Sequence, residues 1–281
     1  MIHITRPTIN DANVLNAILN SKRDPRRGHL LTIRAAVLTA YREYVAAAPG
    51  VDTLTSVEMS ADQREALIHC FDVETAPLAH LRGLLFSPVA ASRCPFCGLS
   101  ESSTLDHYLP KEDQPEFAVF SANLVPCCAP CNTRKGRLVV DEATHVRFFL
   151  HPYFDNVPET RFVRLETALA PNSIRLRYHI SRPPGLARAA FLQLASHFNR
   201  LSLADRYRIM SLDDLRGRYR ALERLYGASQ NAAHVAAALE NEAHSLAEEY
   251  GLNHWRSVLY STLAENLEFC DGGFTAIAAV N

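Results

Sequence analysis

Cys94-Pro95-Phe96-Cys97 and Cys128-Ala129-Pro130-Cys131 are two C-x-x-C pairs that bracket residues 98–127, and the second runs straight into Asn132-Thr133-Arg134-Lys135-Gly136. A two-residue gap lets both thiolates of one turn face the same metal ion. Two such knuckles complete a tetrahedral four-sulfur site, which suits Zn²⁺. Cys127 adjoins the second pair, but only Cys128 keeps the two-residue gap to Cys131, so Cys94, Cys97, Cys128 and Cys131 are the expected ligands. Four thiolates leave no open coordination position. The expected zinc is therefore structural, and it should pin the loop between the knuckles.

Between the knuckles lie Leu105-Asp106-His107-Tyr108-Leu109-Pro110-Lys111 and then Asn123-Leu124-Val125-Pro126. The order D-H-x-x-P, N-L-V-P, C-x-x-C-N-x-x-K-G resembles the zinc-containing branch of the HNH, or ββα-metal, endonucleases. The resemblance covers residues 94–136, with Asn132 standing where many members carry His. It implies a catalytic set of His107, Asn123 and Asn132. His107 is the expected general base, since an imidazole titrates near working pH. Asp106 and the side-chain oxygen of Asn132 are the implied ligands of a catalytic Mg²⁺ or Mn²⁺, hard cations that prefer oxygen. Asn123 is expected to brace the loop rather than react. Lys111, Arg134 and Lys135 are expected to contact nucleic-acid phosphates.

A wider pattern adds Pro115-Glu116-Phe117, His151-Pro152-Tyr153-Phe154-Asp155, Trp255-Arg256, Asn266, Phe269 and Gly272-Gly273. It resembles the HNH nuclease component of Septu-type and retron-linked anti-phage systems. That resemblance implies an ABC-type ATPase as partner. His151, beside Pro and two aromatics, reads as a packed histidine rather than a reacting one.

Outward from this centre the periodicity changes. Leu31, Ala35, Leu38, Tyr41 and Val45 recur at helical spacing, so a helix is expected over 28–48. Ser60 before Ala61-Asp62-Gln63 is an N-cap signal for a helix to Phe71, and another helix is expected over 75–86. Arg161–Glu166 and Ile174–Ile180 alternate around Pro171-Asn172-Ser173, which predicts a β-hairpin. Helices are expected over 186–199, 202–226, 231–249 and 254–267. In one of them Arg206, Arg208, Arg216, Arg218, Arg220 and Arg224 are interspersed with Asp205, Asp213, Asp214 and Glu223, the pattern of a solvated or partner-facing helix. The expected fold is α+β: a mainly helical protein around a central ββα-metal HNH core held by a four-cysteine zinc site. The expected domains are a helical region (1–90), the zinc-containing nuclease domain (91–155), and a hairpin plus helices (156–281).

The chain has 281 residues, 48% of them hydrophobic, and a formal net charge of −1. Such a balance argues against a long basic nucleic-acid track and leaves room for a partner that supplies the grip. No apolar run spans a bilayer and the N-terminus carries no secretion pattern, so no membrane and a cytoplasmic location are expected. Clustered cysteines in that setting read as metal ligands, whereas Cys70 and Cys270 read as core thiols. The functional expectation is an HNH endonuclease cutting DNA, as effector of a defence complex. Its alternatives are an RNase acting on tRNA with the same site, and a noncatalytic zinc-binding adaptor.

Overall fold

The structure, a computed structural model, describes residues 1–87, 93–171 and 173–277. The expected boundary at residues 90 and 91, and Asn172 in the hairpin turn, lie outside the described residues. The chain divides into two compact units, Ile2–Asn156 and Val157–Asn281. Both mix helices with a small antiparallel sheet, and helices dominate. No described helix is long and apolar enough to cross a membrane.

The first unit holds α1 (Asp11–Asn20), α2 (Arg26–Ala47), α3 (Ala61–Asp72) and α4 (Ala76–Phe86), then β1 (Thr104–His107), β2 (Leu124–Cys127) and α5 (Ala129–Lys135). Its helices and its zinc-type knuckles thus belong to one packed body. α1 has no counterpart in the sequence expectations; Asn10 caps it by accepting from Asn13 N at 3.1 Å. α3 starts where Ser60 predicts. Gln63 N donates to Ser60 Oγ at 3.2 Å and Ser60 N donates to Gln63 Oε1 at 2.8 Å, a reciprocal capping box.

α2 forms where a helix is expected over 28–48, but only part of its apolar residues face inward. Its buried face is Leu30, Ile33, Val37, Ala40, Tyr41 and Tyr44, whereas Leu31 (48%) and Val45 (44%) are exposed. Apolar residues occupy both helical stripes, so spacing alone does not select between them. Packing does: Tyr41 stacks on Phe120 at 4.0 Å and Tyr44 meets Phe117 edge-on at 5.0 Å. That contact seats α2 against the loop between β1 and β2.

β1 and β2 pair antiparallel, with Asp106 opposite Val125 and His107 opposite Leu124. α5 follows β2 at once. Gly136 ends it at φ +49, a backbone state that side chains other than glycine's rarely adopt. Strand, strand and helix are therefore consecutive layers of one small motif.

The second unit opens with the expected hairpin, β3 (Val163–Ala170) against β4 (Ser173–Ile180). Val163, Leu165, Ile174, Leu176 and Tyr178 point inward, in the period-two alternation of a sheet with one wet face. α6 (Arg188–Arg200), α7 (Leu203–Ser229), α8 (Ala232–Tyr250), α9 (Trp255–Glu265) and α10 (Leu267–Cys270) complete it. β3 packs on α9, and β4 on α7. Asn253, just before α9, stitches the entry to β3: its Oδ1 accepts from Phe162 N at 2.8 Å and Val163 N at 3.0 Å, and its Nδ2 donates to Thr160 O at 3.0 Å. On the arginine-rich α7, Arg208 pairs with Asp205, Arg220 with Glu223, and Arg218 with Asp214 and Glu242.

Candidate metal centre and polar site

Each knuckle closes as a tight turn. In the first, Gly98 N donates to Cys94 O at 2.7 Å; in the second, Asn132 N donates to Cys128 O at 3.1 Å. The turns bring Cys94, Cys97, Cys128 and Cys131 together, all buried, with one sulfur of each within 4.8 Å of every other. Cys97 Sγ and Cys128 Sγ lie 3.8 Å apart. A tetrahedral ion with metal–sulfur bonds of about 2.3 Å separates its sulfurs by about 3.8 Å, so the donor set and its spacing fit zinc. Cys127 stands apart: it is buried and its Sγ meets Thr104 Oγ1 at 3.5 Å. Hydrogen bonds among the clustered thiols, foremost from Cys131, bring Cys128 below the usual thiol range. The Cys128 and Cys131 thiols also hold Cys97 below the usual thiol range. The cluster can hold a metal ion, and its burial leaves no position open to a substrate.

The polar residues of the motif gather where α5 covers β1. Asn132 Nδ2 donates to Thr104 Oγ1 at 3.2 Å and to Leu105 O at 3.3 Å. One helical turn on, Lys135 Nζ donates to His107 O at 2.7 Å. It also lies 3.1 Å from Asp106 Oδ2. Residues three apart share a helix face, so both side chains meet the same strand. Asp106 Oδ2 accepts no aligned hydrogen bond, and the Lys135 ion pair is its compensation. Burial raises the Asp106 carboxyl, with Lys135 pulling the other way.

His107 Nε2 is 2.9 Å from Ala118 O. A carbonyl only accepts, so Nε2 carries the proton and Nδ1 keeps the lone pair. The ring lies edge-on to Phe71 at 4.3 Å. Burial lowers its pKa to about 4, so it is neutral at pH 7.

Asn123 is buried and fully engaged. Its Oδ1 accepts from Leu109 N at 2.8 Å and Tyr44 Oη at 3.1 Å, and its Nδ2 donates to Leu109 O at 2.9 Å and Phe117 O at 3.3 Å. Four such bonds exhaust the amide, which suits a brace. Behind it stands His151, also buried. Tyr153 N donates to its Nδ1 at 3.2 Å, so its Nε2 carries the proton toward Tyr44 Oη at 3.0 Å. Burial drives its pKa well down. The sequence flagged His151 as packed, but nothing in it singled out Tyr44, which sits among the apolar positions of α2.

The three cations expected to meet phosphates fare differently. Arg134 is exposed, with one bond to Pro130 O at 3.3 Å. Lys111 is engaged by Asp72 at 2.8 Å and Glu112 at 3.2 Å. Lys135 is a correction: at 1% exposure its ammonium faces Asp106 and the Tyr108 ring rather than solvent. A lysine on a short helix that must cover a carboxylate is drawn inward, and the sequence spacing does not reveal that.

No family model and no solved structure matches the chain. Among curated proteins it is similar to "Protein ea31" of Escherichia phage lambda, 27% identical over 199 residues. The match spans 65% of this chain and 65% of that relative.

Proposed function

We propose that the chain is a metal-dependent endonuclease of the HNH type, with DNA as its substrate. The observation that carries this reading is His107: a neutral imidazole tethered through Nε2 to Ala118 O, on the strand that also carries Asp106 and beneath the helix that carries Asn132. In this reading the Nδ1 lone pair of His107 takes a proton from the attacking water. Asp106, whose buried Oδ2 is paired with Lys135 at 3.1 Å, and the amide oxygen of Asn132 are the donors that would hold Mg²⁺ or Mn²⁺. When bound, such a cation neutralises charge gathering on the phosphate. Asn123 keeps the His107 loop in place. The buried cysteine cluster holds structural zinc and ties β2 and α5 to the loop before β1. The ABC-type ATPase implied by the wider pattern is the proposed partner.

One observation favours a second reading. Asp106 and Lys135 neutralise each other inside the fold, as an ion pair that needs no divalent ion. A noncatalytic zinc-stabilised adaptor would look this way.

The test is cleavage of plasmid DNA and of total tRNA, with Mg²⁺ or Mn²⁺, by wild type and His107→Ala, with and without the ATPase. Plasmid cleavage lost in the variant, with metal content and fold intact, is the expected result. Cleavage confined to tRNA makes the protein an RNase. No cleavage in any combination selects the adaptor.

A further inference from the structure

We infer that Tyr44 and His151 are positioning residues for His107, acting through Asn123. The hydrogen bonds form a directed chain. Tyr153 N–H donates to His151 Nδ1, and His151 Nε2–H to Tyr44 Oη. Tyr44 O–H donates to Asn123 Oδ1. Asn123 Nδ2–H then donates to Leu109 O and Phe117 O. The Tyr153 N–H can only donate, and the Leu109 N–H and the two carbonyls fix which end of the Asn123 amide is oxygen, so the direction is set at both ends. Reversing any link sets two donors or two acceptors face to face in a dry interior.

The series ends on the turn that follows His107 and on the loop that tethers its ring. Leu109 lies two residues after His107, and Tyr108 N also donates to Asn123 O at 2.9 Å. Phe117 immediately precedes Ala118, whose carbonyl holds the His107 ring. The Asn123 amide therefore clamps the strand that carries the imidazole and the loop that tethers it. Its rotation is set by the Leu109 N–H and the Tyr44 hydroxyl together, both of which donate to Oδ1, at 2.8 Å and 3.1 Å. An amide flipped end for end would present NH₂ to both the Tyr44 hydroxyl and the Leu109 N–H. His151 is the neutral donor that makes Tyr44 spend its proton on Asn123. Its ring is gripped by Tyr108 at 4.1 Å and Phe154 at 4.7 Å. This gives the burial of a histidine and a tyrosine hydroxyl a purpose that apolar packing alone does not.

The inference rests on the nuclease reading only in calling His107 the base; the geometric claim stands without it. Nitrogen NMR of the His107 ring in the intact protein reads which ring nitrogen holds the proton, whatever the activity. In wild type, the expected state is protonated Nε2 with a bare Nδ1. Tyr44→Phe keeps the ring against Phe117 and Phe120 but removes the hydroxyl, and the His107 ring should become a mixture of tautomers. His151→Leu should do the same, whereas His151→Gln, which retains a donor toward Tyr44, should restore the wild-type tautomer. On a cleaved substrate, Tyr44→Phe should lower kcat about tenfold or more at unchanged KM, as small displacements of a reacting group do. A wild-type His107 tautomer in both Tyr44→Phe and His151→Leu overturns the inference. Should either variant fail to fold, the tautomer in the other decides. A wild type that cleaves nothing sinks the nuclease reading and leaves the tautomer result to decide the positioning.

Discussion

Lys135 Nζ lies 3.1 Å from Asp106 Oδ2, and the two side chains are 1% and 2% exposed. A buried pair of this kind is a contingent arrangement. Each charge is tolerable only because the other is there. Lys135→Met should therefore cost about 3–5 kcal/mol by leaving the carboxylate alone. Adding Asp106→Asn to it should recover much of that loss. Urea melts of both singles and the double would show it; additive losses would mean that the pair is not coupled.

The cysteine cluster makes a sharper prediction about metal. Wild type should carry one zinc per chain, and Cys97→Ser or Cys131→Ser should lose it together with the structure around residues 94–136. Cys127→Ser should keep its zinc, because that sulfur meets Thr104 instead. Metal analysis and circular dichroism of the three variants test this, and zinc loss in Cys127→Ser would reassign the ligand set.

His151 ties stability to pH. Burial depresses its folded pKa, so the unfolded chain takes up a proton near pH 6.5 that the folded chain refuses. The contribution is complete above that value and is lost as pH falls below it, by about 1.4 kcal/mol per pH unit while the folded ring stays neutral. His151→Gln removes the titrating group. Its unfolding free energy should fall less steeply than wild type between about pH 6.5 and 5, with the cysteine cluster common to both. Parallel slopes would show that His151 is protonated in the folded protein.

Glycines in the second unit separate strain from propensity. A Cβ at Gly273 would sit 2.5 Å from Glu268 O and 2.8 Å from Leu169 Cδ1, so Gly273→Ala should destabilise by about 1–3 kcal/mol. Gly217 lies inside α7 with nothing near its missing Cβ, so Gly217→Ala should stabilise by about 0.5–1 kcal/mol. Thermal melts of the pair should shift in opposite directions, and a stabilised Gly273→Ala would contradict the close approach at Gly273.

Much of the fold was legible where the signal is local. The paired knuckles, the Ser60 cap and the alternation of the hairpin each rest on interactions within a few residues. Cys128 rather than Cys127 followed from spacing alone. What was not legible depends on distant partners. The buried stripe of α2 is chosen by Phe117 and Phe120, and the inward turn of Lys135 by the carboxylate it covers. Tyr44 carries no signal of its own in the sequence, because its hydroxyl partners, Asn123 and His151, come from elsewhere in the chain. α1 escaped because its start signal, Asn10 before Asp11, precedes a short helix with no further punctuation.

The Asn253 clamp has a consequence for the order of assembly. Its bonds to Phe162 and Val163 span 91 and 90 residues of sequence. During synthesis β3 and β4 leave the ribosome long before Asn253 does. Until then the hairpin is a two-stranded ribbon with unpaired edges and an apolar face awaiting α7 and α9, a species that is marginal alone and prone to pair with other chains. Translation speed and chaperone access over that interval therefore bear on yield, through a waiting time rather than through the stability of the finished protein.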